Sequence, residues 1–161
     1  MDGMLSEYVA LKSGKLADFT GGFTDAARVS LEDQHKIAVI VEVASAAFDL
    51  NIDLKQHDAA AAGNSKVLSI SNAYYVKLSA DTVFTKVETS DASVTDFNVT
   101  NTDFNGDAGI LVLEILSEDL DRANDYSHIS VDVTQAAGAR IGHVLYAGHR
   151  GRNLPAYKQT L

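Results

Sequence analysis

From residue 36 onward, apolar and polar residues alternate with a period of two, the pattern of β-strands that bury one face. These stretches are rich in the β-branched and aromatic residues that favour strands. Short turn sequences separate them and no long amphipathic helix intervenes, so the sequence predicts an all-β sandwich or barrel. The nine predicted strands are KIAVIVEVA (36–44), AFDLNIDLKQ (47–56), KVLSIS (66–71), AYYVKLS (73–79), TVFTKVE (82–88), SVTDFNV (93–99), AGILVLEIL (108–116), SHISVDV (127–133) and RIGHVLYAG (140–148).

A run of four alanines interrupts this pattern between two of the predicted strands. A helix over HDAAAAG would span hardly two turns, which is too short to be stable by itself. We therefore interpret Gln56 to Ser65 as a connection with at most one helical turn, ending at Gly63 in a left-handed conformation. The small side chains indicate either that the backbone lies close to another surface or that the loop is weakly constrained.

The alternating pattern divides the chain into three parts. Residues 1–30 have four glycines, scattered apolar residues and no strong period, which predicts an extended N-terminal arm lying on its own domain or on a neighbour. Residues 31–149 form the predicted sandwich domain. Residues 150–161 form a predicted C-terminal tail that contains Pro155, the one proline of the chain.

Composition agrees with one domain that buries a substantial core, because the chain has 161 residues and 46% of them are hydrophobic. There is no cysteine, which excludes disulfides, thiolate zinc sites and a cysteine nucleophile. The N-terminus lacks the pattern of a signal peptide. The longest apolar run, Ile37 to Val41, is far shorter than the roughly 18 residues of a membrane span, so we expect a soluble protein with no membrane partner.

Charge is distributed unevenly along the chain, whose formal net charge is −9. Residues 31–134 carry 18 of the 22 acidic residues but only six of the 13 lysines and arginines. Residues 135–161 carry four basic residues and no acidic one. An acidic body repels phosphate, so nucleic acid is not an expected partner. The basic tail is either ordinary surface charge or a segment that pairs with an acidic surface.

The residues that most often do chemistry show no recognised spacing. The five histidines have no metal-binding pattern, and His128 falls on the polar side of an alternating strand, which predicts a solvent-facing side chain. NTDFNGDAG (101–109) resembles a calcium loop but has Val112 where an EF-hand needs glutamate, so a turn is the better interpretation. SEDLDRAND (117–125) gathers four carboxylates that suit a solvated turn better than acid–base catalysis.

No nucleophile elbow, phosphate-binding loop or dinucleotide-binding fingerprint occurs either. We therefore predict that the protein is not an enzyme and binds no cofactor and no metal.

Three stretches carry a resemblance to a known class of proteins: FDLNIDLKQHDAAAAGNSKVLSI, VFTKVE, and the long run from GILVLEILSEDLD to YAGHRGR. Together, over roughly residues 37–152, they resemble the decoration or cement proteins encoded beside the major capsid gene of tailed bacteriophages. The most specific part is EDLD, then Tyr126, an alternating strand, an Ala/Gly turn and a glycine-containing strand that ends near an arginine. The long N-terminal arm departs from this pattern and is compatible with a minor head or spike component.

The resemblance implies a jelly-roll-like antiparallel sandwich that binds the outside of a bacteriophage capsid and bridges subunits of the major capsid protein. It also implies a protein that is soluble in the host cytoplasm before it joins the virion. The apolar arm, which is best buried on a neighbour, predicts a symmetric homo-oligomer, dimer or trimer. A head-fibre, spike or glycan-binding module is the alternative, although the chain has no tryptophan. The residues we predict at the capsid or oligomer interface lie in the arm and tail: Leu5, Tyr8, Leu11, Phe19, Phe23, Arg150, Arg152, Leu154 and Tyr157.

Overall fold

A computed structural model describes residues 9–18, 22, 24, 26–44, 50–69, 73–88, 96–99, 108–135 and 141–149. These residues are nearly all in strands and connecting turns, which confirms the predicted all-β class. The strands within the described ranges are β1 (Val9–Asp18), β2 (Val29–Ser30), β3 (Lys36–Val43), β4 (Leu50–His57), β5 (Ser65–Val67), β6 (Ala73–Leu78), β7 (Thr85–Glu88), β8 (Asp96–Val99), β9 (Gly109–Leu116), β10 (His128–Gln135) and β11 (Ile141–His149).

The strands form two antiparallel sheets. The six-stranded sheet has the order β1-β11-β3-β9-β6-β7, and the five-stranded sheet has the order β2-β10-β4-β5, with β8 also pairing with β4. Without β6, β7 and β8, eight strands remain. Renumbered from one to eight in chain order, they have the order 1-8-3-6 in one sheet and 2-7-4-5 in the other. This is the strand order of a jelly roll, and the β6–β7 hairpin widens one of its sheets.

The core lies between the two sheets and consists of the inward-facing residue of each alternating pair. In β3 and β9 every second side chain is buried, including Val39 and Leu113, which are register partners. The five-stranded sheet contributes Leu54 and Val131, which also pair directly and are fully buried. Burying such aliphatic side chains stabilises the fold by roughly 1.5–3 kcal/mol each, before conformational entropy is counted.

All nine strands predicted from the alternating pattern are present, with ends shifted by a few residues. The structure adds two strands that the pattern did not predict, β1 and β2, and both lie within the range assigned to the N-terminal arm. The sandwich therefore begins before the predicted boundary at residue 31. For residues 9–18 the arm does lie on its own domain, because β1 pairs with β11 from Val9↔His149 to Asp18↔Ile141.

A bulge at Gly14 explains why β1 shows no clear period in the sequence. The register with β11 shifts between Ser13 and Lys15, so one extra residue breaks the alternation. A Cβ atom at Gly14 would lie 2.5 Å from Cε2 of Tyr146, which is fully buried. The Gly14 carbonyl accepts the Ala27 amide at 3.1 Å, which joins the edge of one sheet to the chain leading into the other. Glycine is required here because the tyrosine ring occupies the space of a side chain.

The acidic segment that carries the resemblance forms the connection from β9 to β10, that is, from one sheet to the other. It contains two short 3₁₀ turns, Ser117–Asp119 and Arg122–Asn124, as the turn interpretation predicted. The Asp119 carboxylate accepts the Leu116 amide at 2.7 Å, and Arg122 donates to the Leu31 carbonyl at 2.8 Å. Its charged side chains therefore hold the crossing between the sheets in place.

The alanine run forms the connection from β4 to β5, and the structure assigns bends to it rather than helix. Ala62 and Gly63 both have positive φ, at 58° and 73°, which confirms the predicted left-handed conformation at Gly63. The Asp58 carboxylate closes the loop by accepting the backbone amide and the side-chain amide of Asn64, each at 2.8 Å.

Candidate interaction surface

Each sheet has one face in the core and one face turned outward, and the two outward faces differ in chemistry. On the five-stranded sheet we define the polar face by the outward positions of β4 and β10. Cross-strand neighbours on it bond diagonally: Nε2 of His57 lies 2.7 Å from Oγ of Ser130, and Nζ of Lys55 lies 2.5 Å from Oδ2 of Asp132. The members of the polar face are Asp53, Lys55, His57, His128, Ser130 and Asp132.

The polar face is largely covered, because His57 and Ser130 are fully buried and Asp132 is 6% exposed. Arg28 lies beside one end of this face, next to His128. It precedes β2, on one side of β10, and its guanidinium donates to the carbonyl oxygens of Ala59, at 3.1 Å, and Ala62, beyond β4 on the other side. The arginine thus spans β10 and holds the alanine loop over the sheet.

His128 is half-buried under this bridge, so the prediction of a solvent-facing histidine is wrong. The strand alternates as predicted, but a neighbouring segment covers its polar side. Burial lowers the pKa of His128 most; Glu32 raises it, and Arg28 and other cations lower it. The histidine lines a cavity of about 320 Å³ together with Lys12, Arg28, Ser30, Glu32, Asp33 and Ala60.

The outward face of the six-stranded sheet has the opposite character. Its central strands β11, β3 and β9 lie side by side, and their outward positions are mostly aliphatic and half-buried. Leu145, Ile40 and Val112 form one row across the three strands, and Ala147, Ala38 and Glu114 form the adjacent row. We call this surface the aliphatic face and define it by Ala38, Ile40, Ile110, Val112, Leu145 and Ala147.

The relief of the aliphatic face follows from the sizes of these side chains. The row of Leu145, Ile40 and Val112 forms a ridge. The row of alanines beside it opens into a hollow of about 400 Å³, lined by Val9, His35, Lys36, Ala38, Leu116, Ala147 and His149. A ridge and a hollow therefore lie next to each other on one surface, and the far side of the hollow is lined by polar side chains.

Charged and polar side chains border the aliphatic face at both ends of its strands. Lys36 lies at one end of β3 and forms an ion pair with Glu114 at 2.6 Å. Glu42 lies at the other end of the same strand, beside His143, whose Nε2 is 3.0 Å from Oγ of Ser13. An apolar centre with a polar border is the usual anatomy of a protein–protein interface.

Of the residues predicted at the interface, Leu11 is the one that the structure describes. It lies on β1 opposite Ala147, which places it beside the aliphatic face, and its side chain is 58% exposed. The other predicted interface residues lie outside the described residues: Leu5, Tyr8, Phe19, Phe23, Arg150, Arg152, Leu154 and Tyr157.

Sequence reasoning did not identify the aliphatic face, although a signal was present. In AVIVEV, GILVL and HVLYA both alternating sets of positions are apolar, which indicates strands with two apolar faces. What the sequence did not provide was the order β11-β3-β9 that places these three strands side by side.

The other groups that the sequence offered as candidates for metal binding or acid–base catalysis have structural roles. Among the described residues no group of three or more histidines and carboxylates is arranged to hold a metal ion. The carboxylate of Asp121 accepts hydrogen bonds from Lys66 and Asn124, and these lower its pKa, Lys66 most. Lys66 also lies 4.6 Å from the centre of the Tyr126 ring. A carboxyl group held ionised in this way stabilises a turn and is unsuited to donating a proton at neutral pH.

Comparison with protein-family models, curated proteins and solved structures gives no match to this chain. In the part of the chain that the structure describes, no helix has the length and hydropathy needed to cross a membrane.

Proposed function

We propose that this protein is a structural component of a bacteriophage virion, which binds the outside of the capsid and stabilises it by bridging subunits of the major capsid protein. The observation that carries the proposal is the aliphatic face: a largely aliphatic surface with a polar border, on a two-sheet scaffold. A protein that bridges shell subunits works as part of an assembly, and this surface suits lasting contact between its own copies. The resemblance of residues 37–152 to capsid decoration proteins is what suggests that the assembly is a phage capsid.

The rest of the molecule fits this role physically. A decoration protein opposes the outward pressure of packaged DNA by adding contacts between shell subunits, and closed symmetry repeats each contact many times. A net charge of −9 is tolerable on the outside of the shell, where the protein does not meet the genome. The capsid contacts are proposed in the predicted interface residues of the two terminal segments, where Arg150 and Arg152 suit bidentate binding of carboxylates.

The alternative, a head fibre or glycan-binding module, has less support. Carbohydrate sites usually present exposed aromatic rings, whereas the aliphatic face consists of aliphatic side chains, with the single ring of Tyr75 beside Val112 at its edge. Among the described residues Phe84, at the turn between β6 and β7, is 47% exposed, and Tyr75 is half-buried. Specific binding to a glycan array, together with no binding to capsids, would favour the alternative.

Co-sedimentation with phage heads tests the proposal. The full chain, mixed with heads built from the major capsid protein encoded nearest to its gene, is expected to pellet with them at saturable stoichiometry. Deletion of residues 150–161 leaves β11 intact and is expected to weaken binding and to reduce its dependence on salt. Arg140→Ala removes one positive charge outside the tail and serves as the matched control.

Two results would count against the proposal in different ways. If the full chain stays in the supernatant at every concentration, the capsid role is wrong. If the truncated chain binds as tightly as the full chain, the role stands but the tail does not contribute to it.

A further inference from the structure

We propose that two copies of this chain pair through their aliphatic faces, around a two-fold axis that runs across the strands at the level of Val39. The occupant of the aliphatic face is thus a second copy of the same sheet. This inference goes beyond the proposed capsid role and does not depend on it, because the pairing is a property of the free protein.

The placement of the axis follows from the register of the central strands. Ala38, Val39 and Ile40 are consecutive in β3, and Val39 points into the core between two outward residues. A two-fold axis across the strands at this level reverses the strand direction of the second copy. It therefore places Ala38 of each copy opposite Ile40 of the other. In β11 the same operation places Ala147 opposite Leu145, because these residues pair with Ala38 and Ile40. In β9 it places Val112 opposite the aliphatic stem of Glu114, whose carboxylate is paired with Lys36.

This arrangement matches ridge with hollow. The large side chains of Ile40 and Leu145 in one copy meet the hollow around Ala38 and Ala147 in the other, and the reverse contact occurs at the same time. Such self-complementarity is what a two-fold interface requires, since residue i contacts residue j and residue j contacts residue i. Two apolar sheet faces pack about 10 Å apart when their side chains interdigitate in this way.

The charges at the two ends of β3 agree with the same axis. Reversal of the strand direction brings Lys36 of one copy opposite Glu42 of the other, at both ends of the interface. Lys36 keeps its ion pair with Glu114, so it would lie between two carboxylates. A parallel arrangement of the two sheets would instead place Lys36 opposite Lys36 and Glu42 opposite Glu42, and like charges in close contact disfavour it.

The size of the surface is adequate for a stable dimer. Strands spaced about 4.8 Å apart and rising about 3.3 Å per residue give roughly 500 Å² for the four long strands β1, β11, β3 and β9. The shorter strands β6 and β7 add little to this area, because β6 pairs with Gly109–Val112 and lies mostly on the Glu42 side of the axis. A standard specific interface buries about 800 Å² of accessible surface per partner, and rough surfaces have more accessible than planar area.

Sedimentation-velocity measurements on the purified full chain test the pairing. The unmodified protein is expected to have twice the 17.2 kDa mass of one chain at micromolar concentration. Ile40→Lys brings one charge from each copy into the apolar centre, where the carboxylate of the adjacent row, Glu114, is already paired with Lys36. We expect the dissociation constant to rise by about 100-fold. Val67→Lys is the matched control, because Val67 is 53% exposed on β5 in the other sheet, and it should leave the dimer intact.

A second variant distinguishes a loss of pairing from a folding defect. Leu11 is exposed on β1 at the border of the aliphatic face, so Leu11→Lys should not disturb the fold of one chain. It is expected to weaken the dimer by about tenfold. Far-UV circular dichroism checks that each variant keeps its strand content.

Chemical cross-linking tests the relative orientation of the two copies. The chain has no natural cysteine, so single cysteines can be introduced at chosen positions. Ala38→Cys protein mixed with Ile40→Cys protein should be joined efficiently by a short bismaleimide. Ala38→Cys mixed with Val67→Cys should not be joined. Monomeric unmodified protein, a trimer, a dimer that Ile40→Lys leaves unchanged, or equal cross-linking of both mixtures would each overturn the proposal. Loss of capsid binding with an intact dimer would leave it standing.

Discussion

The two outward faces of the sandwich reverse the usual relation between polarity and exposure. On the polar face, His57 and Ser130 are fully buried, although they occupy the outward positions of their strands. On the aliphatic face, Ile40 and Leu145 are only half-buried, although they are among the most apolar residues of the chain. The polar face is covered by its own chain.

This comparison shows that burial depends on what lies over a strand as well as on the strand itself. Buried polar groups are stable where they find partners, as His57 and Ser130 do in each other. Half-exposed aliphatic groups cannot form such hydrogen bonds, and they are stabilised most when another apolar surface covers them. The same sandwich thus has one outward side that is complete within the chain and one that is suited to a partner.

The largest effect is expected at Gly14, where β1, the strand that borders the aliphatic face, packs against Tyr146. Gly14→Val places a side chain where the Tyr146 ring lies, so the ring or the strand must move. We expect the free energy of unfolding to fall by roughly 3 kcal/mol. Urea denaturation measures this change. The control is Ala27→Val, at an exposed position next to the same contact, which should change the free energy of unfolding by less than about 0.5 kcal/mol. Equal stability of both variants would show that β1 is not packed against Tyr146.

A smaller effect is expected from exchanging polarity on the two faces. Ser130→Val removes the partner of the buried His57 ring nitrogen, and we expect a loss of about 1–3 kcal/mol. Val112→Thr makes the opposite exchange on the aliphatic face and should cost less than about 1 kcal/mol in dilute solution. Equal costs for the two variants would abolish the contrast between the faces. Denaturant titration of each variant provides the measurement.

The smallest effect concerns the pH dependence of the polar face. Burial lowers the pKa of His128 below its ordinary value of 6.5, so the folded state favours the neutral ring. The stability that this provides is fully present above pH 6.5 and is lost as the pH falls through the lowered pKa. Glu32 opposes the shift, whereas Arg28, Lys12 and Arg122 reinforce it. We therefore expect the free energy of unfolding to fall less for His128→Asn than for the unmodified protein between about pH 7 and about pH 5, a range that includes the ordinary histidine pKa.

Parallel stability curves for the two proteins would contradict this prediction. His57, the register partner of His128 on β4, is unchanged in both proteins.

The sequence predicted most of the fold, because the alternating pattern is a direct consequence of strand geometry. It identified nine strands, the all-β class and the left-handed Gly63. It did not identify β1, since the extra residue at Gly14 moves the pattern out of phase: Leu11 pairs with Ala147 before the bulge and Leu16 pairs with His143 after it. Allowing one skipped residue at a glycine would have restored the period of two.

The candidate surface was much harder to predict than the fold. The apolar outward positions of β3, β9 and β11 are visible in the sequence, but only the sheet order makes them one surface. The surroundings of His128 include Arg28, which is 100 positions away in the chain and donates to the Ala59 carbonyl of the alanine loop. Pairings over such distances leave no periodic signal in a single sequence.

The position of β11 between β1 and β3 has a consequence for biosynthesis. Ser13 and His143, which bond across β1 and β11, are 130 positions apart. During translation both flanking strands emerge long before the strand that pairs with them, and their backbone groups stay open until it leaves the ribosome. Closure of the six-stranded sheet is therefore a late step, and topologies dominated by such distant pairings fold in milliseconds to seconds. Until that moment the nascent chain carries two strand edges that can pair with other chains, and chaperone binding has its greatest effect there.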